Sequence, residues 1–547
     1  MIAIAAAAGC GDEDAEMAGG TEGGSLGETS EPASEAGQDD GNPEGESGRP
    51  PGETGIPPAD DSGEDGSPPM EGELAGGISI GEVLVNQAVD IALVSGGQPT
   101  DESARVAPII GGRPALVRAA YTLAPDFTPR SVVGRLWLQQ ADGFNDVYED
   151  VRDVSGPGSL ASLGATFTWN VEPSALQGET TFRVEFLELP DASTVGTIDG
   201  AAVPESGFAP LQAWGDPMVL DLVVVPFSCN GGSVDVTPED LADFEAYVFN
   251  TYPIQELNLE VHDVVPSSSC SEFDAAEYDL PDLRQSEGAD PWVYYGGLLP
   301  GDGGGYSISI EGGDQMDYRR TFANHTWRWY GLTFDLFAHE LGHNHGRDHT
   351  FEDGAYPGNN SGFCGTRSTY GWGVRSGMMP NSAFSNDQEL GIPWVDPNAQ
   401  LVPPTAESCD GLRNANEGNH NDFMSYAYPY WISAYNYAAI ADRVRLISSW
   451  RSAGAPPQST GTIHRVVVAP DGRVTTSRRP GTIQVVDAVG HAMCGDEVVA
   501  VRRGRSVGER FTPGGVLEVH EYATYEFGAP PGQRCRLEID GLDVSIE

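Results

Sequence analysis

Residues 336–350 read LFAHELGHNHGRDHT, which sets His339, Glu340, His343, Gly346 and His349 in the pattern H-E-x-x-H-x-x-G-x-x-H. On a helix, residues four apart differ by about 40° around the axis and roughly 6 Å along it, so the imidazoles of His339 and His343 share one face. Two neutral imidazoles at that distance can hold one zinc ion. Glu340, one position on, stands beside such an ion, where a carboxylate can take a proton from an activated water. Gly346 can leave the helix in the left-handed conformation that other residues avoid, turning the chain back to present His349 as a third ligand. Three protein ligands leave a fourth position open, which is the catalytic arrangement rather than the structural one. The glycine and third histidine at fixed offsets make a chance match about a thousandfold rarer than the bare H-E-x-x-H. His345, about 240° from His339 around the axis, is expected to be exposed or to stand behind the ligands.

This stretch resembles the active-site helix of the metzincins, a superfamily of zinc endopeptidases whose second signature is a tight turn carrying Met beneath the zinc. Asn421-Asp422-Phe423-Met424-Ser425-Tyr426 is similar to that turn. The resemblance implies that Met424 is an apolar floor under the imidazoles. It also implies that Tyr426, as in astacin-like and serralysin-like members, donates a hydrogen bond to a tetrahedral intermediate, and a phenol O–H suits a developing oxyanion. The alternative for Tyr426 is plain packing within a tyrosine-rich run. By the same resemblance Tyr428, Tyr430 and Trp431 line the pocket for the side chain after the scissile bond, the alternative being packing of the turn against the next helix. One strand ahead of the zinc helix is expected to bind extended substrate by β-addition. Thr350 stands where the best-known subfamilies carry Glu, Asp, Ser or Pro, so the subfamily stays open. Residues 351–417, rich in Gly, Pro and Asn, read as an insertion. Asp353, Asn359 and Asn360 within it offer oxygen donors for calcium but follow no calcium-loop pattern.

The implied activity is hydrolysis of peptide bonds in extracellular proteins or glycoproteins by a zinc endopeptidase with one catalytic Zn2+ and Glu340 as general base. Two other readings stay open: a non-enzymatic surface protein that binds a partner, and a zinc hydrolase acting on non-peptide bonds. The intact Glu340 argues against the first, since binding needs no base.

The elements that must position these groups suggest a multidomain chain. The resemblance implies a central α+β metzincin-like domain at 217–453, a mixed twisted sheet plus the zinc-binding helix. Residues 218–227, MVLDLVVVPF, read as a buried strand. Thr237-Pro238-Glu239-Asp240 reads as a helix start, with an N-cap, a proline in the first turn and acids at the positive end of the dipole. Alternating and β-branched runs at 77–216 suggest a β-sandwich-like domain. Beyond a Pro/Gly/Ser linker at 454–461, a similar pattern at 462–547 suggests a small β accessory domain.

The formal charge of −53 comes with 29 arginines and no lysine. Such a surface repels phosphate, which excludes nucleic acid as a partner. Residues 1–10, MIAIAAAAGC, resemble the end of a bacterial lipoprotein signal, with Cys10 as the lipidated residue and the only expected link to a membrane. Residues 11–76, dominated by Gly, Glu, Asp, Ser and Pro, are expected to form a disordered acidic linker. The expected location is therefore the bacterial cell surface or the exterior. The other six cysteines, Cys229, Cys270, Cys364, Cys409, Cys494 and Cys535, suit an oxidising compartment. Of their 15 pairings, the sequential one keeps each bridge local. Oligomeric state is not legible in the sequence.

Overall fold

The strand Val219–Cys229 is apolar from Leu222 to Phe227 because both of its faces are covered there. Leu220, Leu222 and Val224 join one core with Phe244, Phe337, Leu341 and Tyr437. Val223, Val225 and Phe227 join another with Ala276, Leu280 and Tyr295. On its flanks lie the parallel strands Glu256–Val261 and Val293–Pro300. Val293–Pro300 runs parallel to Thr321–Thr326, which pairs antiparallel with Gly305–Ile308.

The computed structural model describes residues 72–160, 163–190, 192–301, 303–308, 320–326, 334–347, 421–424, 430–432, 434–453, 462–469, 472–480, 488–511, 517–529, 533–539 and 541–546. Cys10, most of the expected acidic linker and the 351–417 insertion with its Asp353, Asn359 and Asn360 lie outside them. Among the described residues no helix is long and apolar enough to cross a membrane.

The expected central α+β domain with separate β flanks is corrected by this structure. Among the described residues strand accounts for 46% and helix for 19%, so what is described is mostly β-sheet with few helices. The physical reason lies at one edge. Tyr306, Ser307 and Ile308 pair antiparallel with Gly508, Val507 and Ser506 of the long strand Glu497–Phe511. The C-terminal strands thereby extend the central sheet, and together they form one sheet of fourteen strands. Thr462–Val468 and Leu517–Ala529 belong to it too, through antiparallel pairing with one another and with Glu497–Phe511.

Residues 78–210 form two further five-stranded sheets. Their facing sides share a core in which Phe167 lies 4.7 Å from Phe186 and 5.6 Å from Tyr121, ring centre to ring centre. From this part Arg113 reaches the C-terminal end of the helix Pro238–Thr251. It donates to the carbonyls of Phe249 (2.6 Å), Tyr252 (2.5 Å) and Ile254 (2.7 Å), supplying donors where helical carbonyls lack intrahelical partners. The other end of that helix carries a capping box. Thr237 Oγ1 accepts from the Asp240 amide at 3.1 Å, and the Asp240 carboxylate accepts from the Thr237 amide at 2.9 Å.

Among the described residues two disulfides are present, Cys229–Cys270 and Cys494–Cys535, each joining cysteines separated by 41 positions. They suit an oxidising environment. Cys364 and Cys409 lie outside the described residues.

On the surface, His262 Nε2 meets the Glu287 carboxylate at 2.7 Å and its Nδ1 donates to the Asp263 carbonyl at 2.6 Å. Burial pulls this imidazole's pKa down, but the two hydrogen bonds outweigh it and the net shift is upward. A raised folded-state pKa means that the charged pair stabilises fully below the unfolded value of about 6.5, and that this is lost as pH rises through the folded value. His262→Asn is therefore expected to cost at most about 1 kcal/mol, since the pair is partly exposed. Urea midpoints of variant and wild type should differ near pH 6 and converge by about pH 9. A gap that stays constant across this range would deny His262 a titrating role.

Candidate metal centre

The helix Phe334–Asn344 carries the H-E-x-x-H residues, and three contacts fix it against the sheet and the helix Pro238–Thr251. Phe337 is wedged between Phe244 and Phe322, with ring centres 4.8 and 4.7 Å away. Gly296 on the strand beneath makes room, because a Cβ there would strike both Phe337 and Phe322. Tyr252 donates its hydroxyl to the Ala338 carbonyl at 2.6 Å. At the far end the buried Asn344 amide donates to Ser307 Oγ (2.7 Å) and the Thr321 carbonyl (2.9 Å), tying the helix to two strands.

The helix stops as its glycine predicts. Gly346 adopts φ 78°, its amide bonds to the His343 carbonyl at 2.8 Å, and the Arg347 amide bonds to the Gly342 carbonyl at 3.0 Å. This is a Schellman cap with glycine in the left-handed position. The reversal also returns the Arg347 carbonyl to His343, whose Nδ1 donates to it at 2.7 Å. His339 makes the matching bond on its other side, Nδ1 to the Phe423 carbonyl at 2.6 Å. A carbonyl oxygen only accepts, so each Nδ1 carries the hydrogen and each Nε2 is left as the lone-pair atom. The two rings are 4.8 Å apart and nearly perpendicular.

Met424 is fully buried. A Cβ on Gly342, between the two histidines in sequence, would meet Met424 Sδ and the Phe423 ring. Glu340 is fully buried too. Its carboxylate lies against the backbone of Gly305, so closely that a Cβ on Gly305 would collide with Oε1. Two buried imidazoles with both Nδ1 atoms anchored to carbonyls offer two Nε2 donors of the kind that zinc takes, and a carboxylate stands on the same turn. Among the described residues no group of three or more such ligands occurs. The described path ends at Arg347, two residues before His349, which lies outside it.

Of the two places open to His345, exposed or behind the ligands, it takes the second. It is buried, stacks on Tyr294 at 4.9 Å and donates Nδ1–H to the Leu341 carbonyl at 2.8 Å. Burial, with Arg443 and Arg320 nearby, drives its pKa down to about 3 despite that bond, so it is a neutral packing group behind the site.

Gly305–Ile308 borders Glu340, and from Tyr306 to Ile308 its outer edge is paired with Ser506–Gly508; the sequence did not say which strand ahead of the helix would bind substrate. Tyr426 and Tyr428 lie outside the described residues. Tyr430–Trp431 form a short strand parallel to Asn421–Asp422, just ahead of Phe423 and Met424. Gly305, Asn344 and the carbonyls of Phe423 and Arg347 were not read from the sequence. The run Gly303-Gly304-Gly305 was the available signal, since three consecutive glycines mark a close backbone approach.

Gly342→Ala is expected to destabilise the protein by about 1–3 kcal/mol, as over-packing against Met424 and Phe423 does. Gly346→Ala is expected to cost about 1–2 kcal/mol through its left-handed backbone. Urea unfolding measures both, and wild-type midpoints would mean that the turn and the helix end are looser than this geometry.

No protein-family model and no curated protein matches the chain.

Proposed function

We propose that the protein is a zinc-dependent endopeptidase acting on proteins or glycoproteins outside the cytoplasm. The observation that carries this is the pair of Nδ1-anchored imidazoles on one helix face, with Glu340 buried against Gly305 on the same turn. His339, His343 and His349 would hold the ion. A zinc bound there supplies Lewis acidity and brings the pKa of a bound water toward neutrality.

The rest falls to the chain's own groups. Glu340 takes a proton from the attacking water as its oxygen bonds to the peptide carbonyl carbon. Glu340 then returns the proton to the leaving amine as the C–N bond breaks. Gly305, having no side chain, lets the backbone close on the carboxylate and restrict its swing. Met424 supports the helix turn from below. Tyr426, by its motif position, is assigned to donate a hydrogen bond to the oxyanion. The two disulfides support an extracytoplasmic setting, and Cys10, at the end of an apolar run, is the proposed lipid attachment point.

The test uses the purified full chain, a reduced and alkylated protein substrate and a heavily O-glycosylated one, with and without a zinc chelator. Cleavage is expected to need about one zinc per chain and to stop with the chelator. Glu340→Ala should keep the zinc and lose about two to four orders of magnitude in kcat. Tyr426→Phe should lose about one to two. Wild-type turnover by Glu340→Ala would overturn the mechanism. Stoichiometric zinc without cleavage of either substrate would overturn the endopeptidase reading in favour of a non-peptide substrate or a binding role.

A further inference from the structure

The strand that borders Glu340 is gripped on its far side by the C-terminal part of the chain. Gly305 touches the Glu340 carboxylate. The next residue, Tyr306, is fully buried in the other core, with Phe273 at 5.0 Å and Tyr522 at 5.5 Å between ring centres. Its hydroxyl donates to Glu277 Oε1 at 2.6 Å. The same Oε1 lies 2.8 Å from Arg465 Nη2, in an ion pair whose side chains are 1% and 3% exposed. Arg465 sits on Thr462–Val468 and has the Glu526 carboxylate 3.8 Å from its Nη1, and Glu526 in turn pairs with Arg502 at 2.9 Å.

These are not surface pairs that water and salt would weaken. An ion pair so fully withdrawn from water holds its geometry firmly, because parting the charges leaves each one buried without compensation. Gly305 and Tyr306 are adjacent, so what fixes the Tyr306 hydroxyl also limits where the Gly305 backbone can stand. The outer edge of the same strand is paired with Ser506–Gly508. The Arg465 that holds Glu277 and the strand that covers the outer edge therefore both come from beyond residue 461, adding to the inner pairing with Thr321–Thr326.

We propose that the C-terminal β segment is part of the catalytic unit, with Arg465 and Glu277 acting as positioning residues that, through Tyr306, hold the Gly305 backbone against the general base Glu340. This rests on the endopeptidase reading above. It assigns Arg465 no contact with substrate; its effect passes through Glu277, Tyr306 and Gly305. The reading predicts a particular kinetic signature. Freeing the strand misplaces Glu340 while leaving His339 and His343 on their own anchors, so the rate of the chemical step falls while zinc binding persists. Misplacement of a catalytic group by about 1 Å costs on the order of a hundredfold.

The experiment compares full-length wild type with Arg465→Met, Glu277→Gln, the double variant and Tyr306→Phe, on the reduced and alkylated protein substrate. Arg465→Met and Glu277→Gln are expected to lose about ten- to a hundredfold in kcat with KM changed less than about threefold and zinc content unchanged. The double variant, which leaves no lone buried charge, should recover part of that loss. A second readout is hydrogen exchange of the metal-free proteins. The variants should exchange faster in peptides covering 303–308 and 334–344, and at the wild-type rate in peptides covering 78–210.

Should Arg465→Met prove too unstable to purify, Tyr306→Phe, which keeps the ring and removes only the hydroxyl, is expected to show the same pattern at several-fold. Wild-type kcat with unchanged exchange at 334–344 would overturn the inference. A rise in kcat would overturn it too, making the C-terminal strand a block on the site instead of its support. Glu340→Gln in the same assay separates the two readings. If it cleaves like wild type, the endopeptidase reading fails and takes this inference with it. If it is inactive while Arg465→Met is fully active, only the positioning role fails.

Discussion

A backbone carbonyl can accept a hydrogen bond but never donate one, and the candidate centre depends on two of them. The Phe423 and Arg347 carbonyls take the Nδ1 hydrogens of His339 and His343, and in doing so dictate which ring nitrogen keeps its lone pair. Neither acceptor belongs to the helix that carries the histidines. One comes from the segment holding Met424, the other from the turn made by Gly346. The helix supplies the spacing and its surroundings supply the tautomer. A helix with the same eleven residues but a different ending would lack the second anchor.

The same division of labour recurs around Glu340. Its place on the helix follows from local sequence, but its environment is made by Gly305 on a strand and, behind that strand, by the buried Glu277–Arg465 pair. The central sheet is covered on both faces, by Phe337 and its neighbours on one side and by Ala276 and Leu280 on the other. It is continued at its edge by Glu497–Phe511. The site is thus built where helix, sheet and C-terminal strands meet, and this is why a large part of the chain bears on a few side chains.

What could be read from the sequence was what depends on near neighbours. The capping box at Thr237, the buried run at 218–227, the shared face of His339 and His343 and the glycine helix stop at Gly346 are all set within a few residues. The fold class was misjudged because it depends on which strand edges meet, and strand patterns do not encode their partners. The alternation in 462–547 reads equally well as a separate module or as an extension of the central sheet. Nothing near Tyr306 in sequence announces Ser506–Gly508. Likewise, the helical position of His345 says that it faces away from His339, but not whether that side meets water or Tyr294. Glu277 and Arg465 look like ordinary surface charges until the fold places them together.

The pairing of Tyr306–Ile308 with Ser506–Gly508 also has a consequence for synthesis. The two partners lie roughly two hundred residues apart, and contacts so distant in sequence form late. On a ribosome, the helix bearing His339, Glu340 and His343 is complete long before the strand that braces its neighbour has been made. A nascent chain that has emerged only as far as this helix therefore carries His339, Glu340 and His343 without that brace, and the strand beside Glu340 gains its outer partner only once Ser506–Gly508 have been made.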